Sequence, residues 1–163
     1  MSWETRASPE ISKMLAGTSE YFGLGDIQNQ SRVGGNANRN YSVQTTSGDY
    51  IFKVILEHPI EDIETEITYL KKLKEFNFPS SSYVSNPSES SIYQDQGQII
   101  LVLPKLDGQK PERTEDVCRT VGQELARLHK IPTEGLPQRN SWLGRSYLPK
   151  AVQTIQDKLP EQA

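Results

Sequence analysis

The chain has 163 residues, of which 34% are apolar and 24% charged, and its formal net charge is −3. This length allows one domain with a real core, or one small lobe plus part of a second. The acidic surplus argues against nonspecific nucleic-acid binding, which needs basic surfaces. No apolar run approaches the roughly 18 residues of a membrane helix. The first twenty residues lack the apolar segment of a secretory signal. Cys118 is the single cysteine of the sequence, so it has no partner in the chain for a disulfide. We therefore expect a cytoplasmic protein without a nucleic-acid or membrane partner.

The first predicted element is a short helix over residues 9–22. Ser8 is a suitable N-cap, and Pro9 is acceptable at the first helical position. Ile11 and Leu15 supply apolar contacts at helical spacing. The glycine-containing sequence GLGD, residues 23–26, is expected to end this helix.

From Ile27 to Leu56 the apolar period changes to two, which is typical of strands. The stretch RVGGNANRNYSV, residues 32–43, is rich in turn-forming residues. It could close a hairpin and nothing more, or it could form a backbone lip over a phosphate. A second turn, TSGD, separates two further strands. The later strand, YIFKVIL, is apolar apart from Lys53, which is the pattern of a strand covered on both faces.

A second helix is predicted to follow, and Asn77 and Pro79 are expected to stop it. At 100° per residue, Glu66 is the acid that falls within the apolar arc of this helix and faces the sheet. A lysine in a core-like strand requires a counter-charge, so Lys53 and Glu66 are predicted to form a buried pair. The alternatives are a solvated lysine on an edge strand and an amphipathic helix with one misplaced glutamate.

The second half of the chain begins with a serine-rich segment, SSSYVSNPSESS, which is predicted to be a loop. A hairpin of SIYQDQG and QIILVLP follows, and its apolar second arm is expected to be a central strand. After a polar connector, Thr114 is expected to cap another helix, with Cys118 as a small buried hydrophobe. His129 is expected to cap the helix end. A last helical pattern runs from Leu148 to Leu159.

The order of these features resembles the N-terminal lobe of the protein-kinase-like fold. The individual motifs are more similar to the aminoglycoside phosphotransferase and choline kinase superfamily, including homoserine-kinase-like members, from about Gly23 to Pro132. They read GGNANRNYSV, YIFKV, ETEITYLKKL, LVLPKLDG and VGQELARLHKIP. The resemblance implies an α+β fold in which an antiparallel sheet of about five strands packs on a helix. It also implies a nucleotide-binding lobe in residues 1–104, a hinge in 105–112 and the beginning of a helical second lobe in 113–163.

The resemblance also implies a role for each residue that matches a motif. Lys53 would hold the α and β phosphates of ATP, with Glu66 fixing its position. Pro104 would offer its carbonyl, and Leu106 its amide, to the adenine edge. A proline suffices at position 104 because a carbonyl that accepts a hydrogen bond needs no N–H. The residues whose backbone would cover the triphosphate are Gly34, Gly35, Asn36, Ala37 and Asn38.

The catalytic loop and the magnesium ligands of such enzymes lie beyond the helix that corresponds to residues 114–130. After Asp116 the only aspartate is Asp157, and no histidine follows His129. The loss of a general base alone costs about 10² to 10⁴ in rate, so we expect this chain to be inactive alone. A truncated gene, a deliberate fragment and an incompletely described chain all fit this pattern.

Three functions are compatible with these residues. In the first, the full-length parent transfers the γ-phosphate of ATP, with Mg²⁺, to a hydroxyl of an amino alcohol or aminoglycoside-like substrate bound through the missing lobe. In the second, the chain is a noncatalytic module that binds nucleotide or a protein through the apolar residues of VCRTVGQELARL, which also favour self-association. The third is an unrelated all-antiparallel domain with flanking helices.

Overall fold

The computed structural model describes residues 8–35, 38–56, 58–109 and 111–137. Within these ranges the elements are α1 (Pro9–Phe22), β1 (Ile27–Arg32), β2 (Asn38–Thr45), β3 (Gly48–Ile55), α2 (Ile60–Glu75), β4 (Tyr93–Asp95), β5 (Gln98–Pro104) and α3 (Glu115–Leu128). The strands form one antiparallel sheet in the order β1-β2-β3-β5-β4. The predicted α+β fold with five antiparallel strands is therefore confirmed. The helix predicted for residues 148–159 lies outside the described residues, as do Asn36 and Ala37.

Helix α1 begins and ends as its sequence predicts. The Ser8 hydroxyl accepts a hydrogen bond from the Ile11 N–H at 3.3 Å, and Pro9 occupies the first helical turn. Gly23 follows in the left-handed conformation, with φ of 67°, and donates its N–H to the Glu20 carbonyl. The two caps satisfy backbone groups at the ends of α1, and its apolar side packs on the sheet.

One face of the sheet, which we call the closed face, is covered by α1. Phe52 and Val54 of β3 are completely buried there, beside Leu15 of the helix. Burial of large apolar side chains is the main stabilising contribution to such a core. The buried residues of this cluster are Met14, Leu15, Phe22, Leu24, Tyr41, Val43, Phe52, Val54, Ile100 and Val102.

The opposite face, which we call the open face, is covered only in part. Ile63 of α2 packs on Ile55 and Leu101 of the sheet, and these three residues are buried. Ile51 and Leu103, which pair across β3 and β5, are only half-buried. Since successive side chains of a strand alternate between faces, Ile51, Ile55 and the lysine between them share this open face.

Helix α3 is capped by Thr114, whose hydroxyl accepts from the Val117 N–H, as predicted. No residue of α3 is buried, and Val121 and Leu125 are 61% and 49% exposed. Cys118 is also exposed, so the prediction of a buried cysteine is wrong: no described residue buries it, although Val117 and Leu128 of the same helix are partly covered. None of the described helices is long and apolar enough to cross a membrane.

Candidate functional site

Lys53 lies near the middle of β3, which is the central strand of the sheet. Its backbone pairs with Asn40 of β2 on one side and with Leu101 of β5 on the other. The interpretation of Lys53 as a solvated lysine on an edge strand is therefore wrong. Its side chain is on the open face and is 23% exposed, and the strands on both sides fix its base.

Glu66 of α2 faces this lysine, as the helical periodicity predicts. The distance from Lys53 Nζ to Glu66 Oε1 is 3.5 Å. The two side chains are 23% and 37% exposed, so the pair is half-open to solvent and is not the buried pair expected from sequence. The physical reason is that α2 covers only the end of the open face around Ile63, leaving the pair at the boundary of the covered area.

Tyr83 lies between the two charges, and sequence reasoning did not identify it as a site residue. Lys53 Nζ donates to its phenol oxygen at 3.2 Å, and the phenol donates to Glu66 Oε1 at 2.5 Å. Burial, followed by the hydrogen bond to Glu66 and the negative charge of that carboxylate, raises the pKa of Tyr83 above its ordinary value of 10. The one signal available in the sequence was a large aromatic residue in an otherwise serine-rich loop.

The glycine-rich turn connects β1 to β2, so the predicted hairpin is confirmed. Gly34 and Gly35 have φ values of 66° and 105°, a region that other residues avoid. A Cβ on Gly35 would lie 2.2 Å from the Asn38 carbonyl oxygen, which leaves no room for any side chain. Inside the turn, the Val33 N–H donates to the Asn40 carbonyl at 2.9 Å. Asn40 is the residue that pairs with Lys53, so the turn and the lysine are joined through one strand.

The predicted hinge residues lie at the other end of the sheet. Pro104 ends β5 opposite Tyr50, and the Lys105 N–H donates to the Asp49 carbonyl at 2.9 Å. Leu106 is 72% exposed. The register thus puts Lys53 between the two ends of β3, with the glycine turn beyond Ile55 and the hinge residues beyond Tyr50. The structure brings Lys53 and Glu66 into contact, whereas the hinge residues are separate from that pair.

A concavity of about 770 Å³ lies between α2 and the end of α3 with the segment that follows it. Its walls include Tyr69 and Leu73 of α2 and Leu128, His129 and Leu136 from the later segment. The Tyr69 hydroxyl closes one side by donating to the Pro137 carbonyl. None of the predicted site residues lines this groove, and His129 lies at the helix end, where the sequence predicted a structural role.

Comparison with known families gives a match over most of the chain. The model of the Phosphotransferase enzyme family (APH) matches residues 30–162. A homoserine kinase from Polaromonas naphthalenivorans is 25% identical over 144 residues, which are 87% of this chain and 46% of that relative. A homoserine kinase from Pseudomonas aeruginosa is 25% identical over 131 residues, which are 79% of this chain and 41% of that relative. The chain therefore spans less than half the length of these curated relatives.

Solved structures share the same fold. A spectinomycin phosphotransferase, solved in complex with ADP and spectinomycin, superposes with a TM-score of 0.68 at 13% sequence identity. The superposition covers 93% of this chain and 48% of the spectinomycin phosphotransferase chain. A microcompartment-associated aminopropanol kinase superposes with a TM-score of 0.59 at 17% sequence identity. That superposition covers 89% of this chain and 57% of the aminopropanol kinase chain. At these identities the likeness concerns the fold alone.

Proposed function

The chain belongs to the phosphotransferase enzyme family, and we propose that it is the ATP-binding part of a small-molecule kinase. The observation that carries the proposal is the position of Lys53, whose ammonium lies on the open face between a glycine turn and the exposed end of β5. A half-exposed ion pair contributes at most about 1 kcal/mol to folding. A lysine held by strand, carboxylate and phenol at such a place is therefore better explained by binding than by stability.

The glycine turn suits the phosphate end of a nucleotide. Gly34 and Gly35 carry no side chain, so that backbone N–H groups can approach an anion closely. Lys53 supplies the positive charge from β3, and its contact with Glu66 limits the positions that the ammonium can take. Asn38 begins β2 next to the turn, and its side-chain oxygen is buried without a hydrogen-bond partner among the described residues.

The apolar end of a nucleotide would lie toward the hinge. Ile51 and Leu103 are half-buried and pair with each other across β3 and β5. Each lies two residues along its strand from the pair formed by Lys53 and Leu101. They offer a flat apolar surface on the open face to an aromatic base. Within the described ranges the Leu106 amide makes no backbone hydrogen bond, which leaves it free to donate to the edge of that base.

Domain limits and metal binding belong to the same proposal. We divide the chain into a nucleotide-binding lobe in residues 1–104, a hinge in 105–112 and the start of a second lobe in 113–163. Among the residues that the structure describes, no group of three or more His, Cys, Asp or Glu side chains is arranged to hold a metal ion. The proposal names no magnesium ligand in this chain, and Mg²⁺ enters it with the nucleotide only.

The proposed reaction of the full-length protein is transfer of the γ-phosphate of ATP to a hydroxyl of an amino alcohol or aminoglycoside-like substrate. The named relatives and structures act on homoserine, spectinomycin and aminopropanol, all of which carry hydroxyl groups. We expect no phosphoryl transfer by this chain alone, because the sequence after His129 has neither a second histidine nor an aspartate before Asp157. Measurable phosphorylation of homoserine or aminopropanol by the purified chain would contradict this expectation.

The direct test is a thermal-shift titration with ATP and Mg²⁺. The wild type should melt at a higher temperature as ATP rises, because a ligand that binds only the folded state stabilises it. Lys53→Ala should abolish most of the shift, whereas Lys13→Ala, which removes an exposed lysine from α1, should leave it intact. No shift for the wild type, or an equal shift for Lys53→Ala, would overturn the site assignment.

A noncatalytic protein-binding module is the second candidate function. The supporting observation is the exposure of Val121 and Leu125 on α3, two apolar residues on the same side of the helix. Sedimentation velocity over a range of concentrations tests this candidate for self-association. A mass that rises with concentration for the wild type but not for Val121→Asp would support it, and a concentration-independent monomer would reject self-association.

A further inference from the structure

The contacts around Lys53 identify a third member of its pair with Glu66. The direct Lys53–Glu66 distance of 3.5 Å is longer than an ordinary N–H···O hydrogen bond. The path through the Tyr83 phenol has steps of 3.2 and 2.5 Å, both within hydrogen-bond range. The lysine ammonium also lies 5.8 Å from the centre of the Tyr83 ring. The phenol therefore makes closer contact with each charge than the charges make with each other.

The backbone holds Tyr83 in this place although its segment belongs to neither a helix nor a strand. The neighbouring Val84 N–H donates to the Val102 carbonyl of β5 at 2.8 Å. Val84 packs against the closed-face cluster, while Tyr83 packs with Leu101 on the open face. These two neighbouring residues therefore face opposite sides of the sheet, and the hydrogen bond to Val102 holds their segment beside β5, which limits the direction of the phenol.

The protonated phenol is suited to join a cation and an anion, because one oxygen can accept from the ammonium and donate to the carboxylate at the same time. A tyrosine phenol keeps its proton throughout the neutral range, and the surroundings of Tyr83 raise its pKa further. The ammonium is consequently held from two directions, which limits the positions it can occupy above the sheet. A phenylalanine in its place would keep the ring and lose the oxygen that makes both contacts.

From this geometry we infer that Tyr83 is a positioning residue that sets the Lys53 ammonium for contact with the phosphates of a bound nucleotide. The inference rests on the proposed nucleotide site and adds a residue to it. It predicts an effect that depends on phosphate, since Tyr83 acts through Lys53 and has no part in holding the base. A residue with a purely structural role would weaken adenosine and ATP binding alike.

The first part of the experiment measures binding of ATP, ADP and adenosine to the wild type, Tyr83→Phe and Tyr21→Phe. Tyr21 lies on α1 and is 37% exposed, so its variant removes a phenol oxygen on the closed-face side of the sheet. We expect Tyr83→Phe to lower the affinities for ATP and ADP by about three- to tenfold and to leave adenosine unchanged. Equal losses for all three ligands, or no loss for any, would overturn the inference.

The second part needs no nucleotide and separates this inference from the proposed function. The rate at which acetic anhydride acetylates Lys53 at fixed pH is followed by peptide mass spectrometry. Without the phenol the ammonium loses one partner, so acetylation should be about threefold faster in Tyr83→Phe than in the wild type or Tyr21→Phe. An unchanged rate would overturn the role of Tyr83 whether or not ATP binds. If the wild type binds no ATP but acetylation of Lys53 is still faster in Tyr83→Phe, the nucleotide site is rejected and the role of Tyr83 is restricted to holding the lysine.

Discussion

The two faces of the sheet differ in residue type and in burial, although the same strands build both. On β3, Phe52 and Val54 point into the closed face and are completely buried, whereas Lys53 between them points to the open face and remains partly exposed. Under the proposed function, alternation along one strand separates the residues that stabilise the fold from the residue that binds the nucleotide. A rigid closed face lets the open face present a charge at a fixed place without depending on that charge for folding.

The largest effect should come from the closed face. Phe52→Ala removes a completely buried ring and should lower the free energy of unfolding by about 3–5 kcal/mol. The matched variant Ile51→Ala, on the same strand but half-buried on the open face, should cost about 1–2 kcal/mol. Urea unfolding followed by circular dichroism measures both. Equal losses would show that the two faces do not differ in the way described.

The next effect concerns the glycine turn. Gly35→Ala should destabilise the fold by about 2 kcal/mol and weaken ATP binding, because φ is 105° and a Cβ would meet the Asn38 carbonyl oxygen. Gly34→Ala is the control, since its Cβ would meet no atom within 4 Å and only the left-handed conformation opposes it, at about 1 kcal/mol. If the two variants unfold at the same urea concentration, the close contact at Gly35 has no energetic importance.

A smaller effect on stability is expected at the ion pair. Glu66→Gln keeps the shape of the side chain but removes its charge, and it should change the free energy of unfolding by less than about 1 kcal/mol. ATP affinity should fall by about threefold, since Lys53 is held less firmly. Glu64→Gln, at an exposed position of the same helix, is the control. Calorimetric titration tests the proposal, which fails if the two variants bind ATP equally well.

The smallest effect is a dependence of stability on alkaline pH. The pKa of Tyr83 is higher in the folded chain than the ordinary value of 10, so its contribution is complete below pH 10 and declines as pH rises above that value. Between pH 9 and 11 the wild type should therefore lose more free energy of unfolding than Tyr83→Phe. Urea unfolding at several pH values measures the difference, and parallel curves for the two proteins would contradict the described environment of the phenol.

Much of the fold was predictable because local patterns encode it. The caps at Ser8 and Thr114 and the hairpin turns are properties of short segments, and the structure confirms them. Helical periodicity alone placed Glu66 on the side of α2 that meets Lys53. The nucleotide roles of the glycine turn, Lys53, Glu66, Pro104 and Leu106 stay predictions, as does the division into lobes.

Two features were misjudged or missed because they depend on contacts far apart in the chain. Cys118 has the spacing of a buried residue, but burial requires a covering element, and no described residue buries this side chain. Tyr83 belongs to a serine-rich segment without periodicity, and its place is set by the hydrogen bond from Val84 to Val102. The exposure of Cys118 and the position of Tyr83 therefore cannot be predicted from the residues next to them in the sequence.

The sequence by itself determined the type of the described helices and strands and the pairing of one strand lysine with one helix glutamate. These follow from the helical and strand periods, which depend on backbone geometry within a few residues. The tertiary structure alone decided that the pair is half-open and that a phenol joins its two charges. The exposure of the pair depends on how far α2 covers the sheet, and the place of the phenol depends on where the segment of Tyr83 meets β5. Both are contacts between distant parts of the chain, which the periods of single helices and strands do not encode.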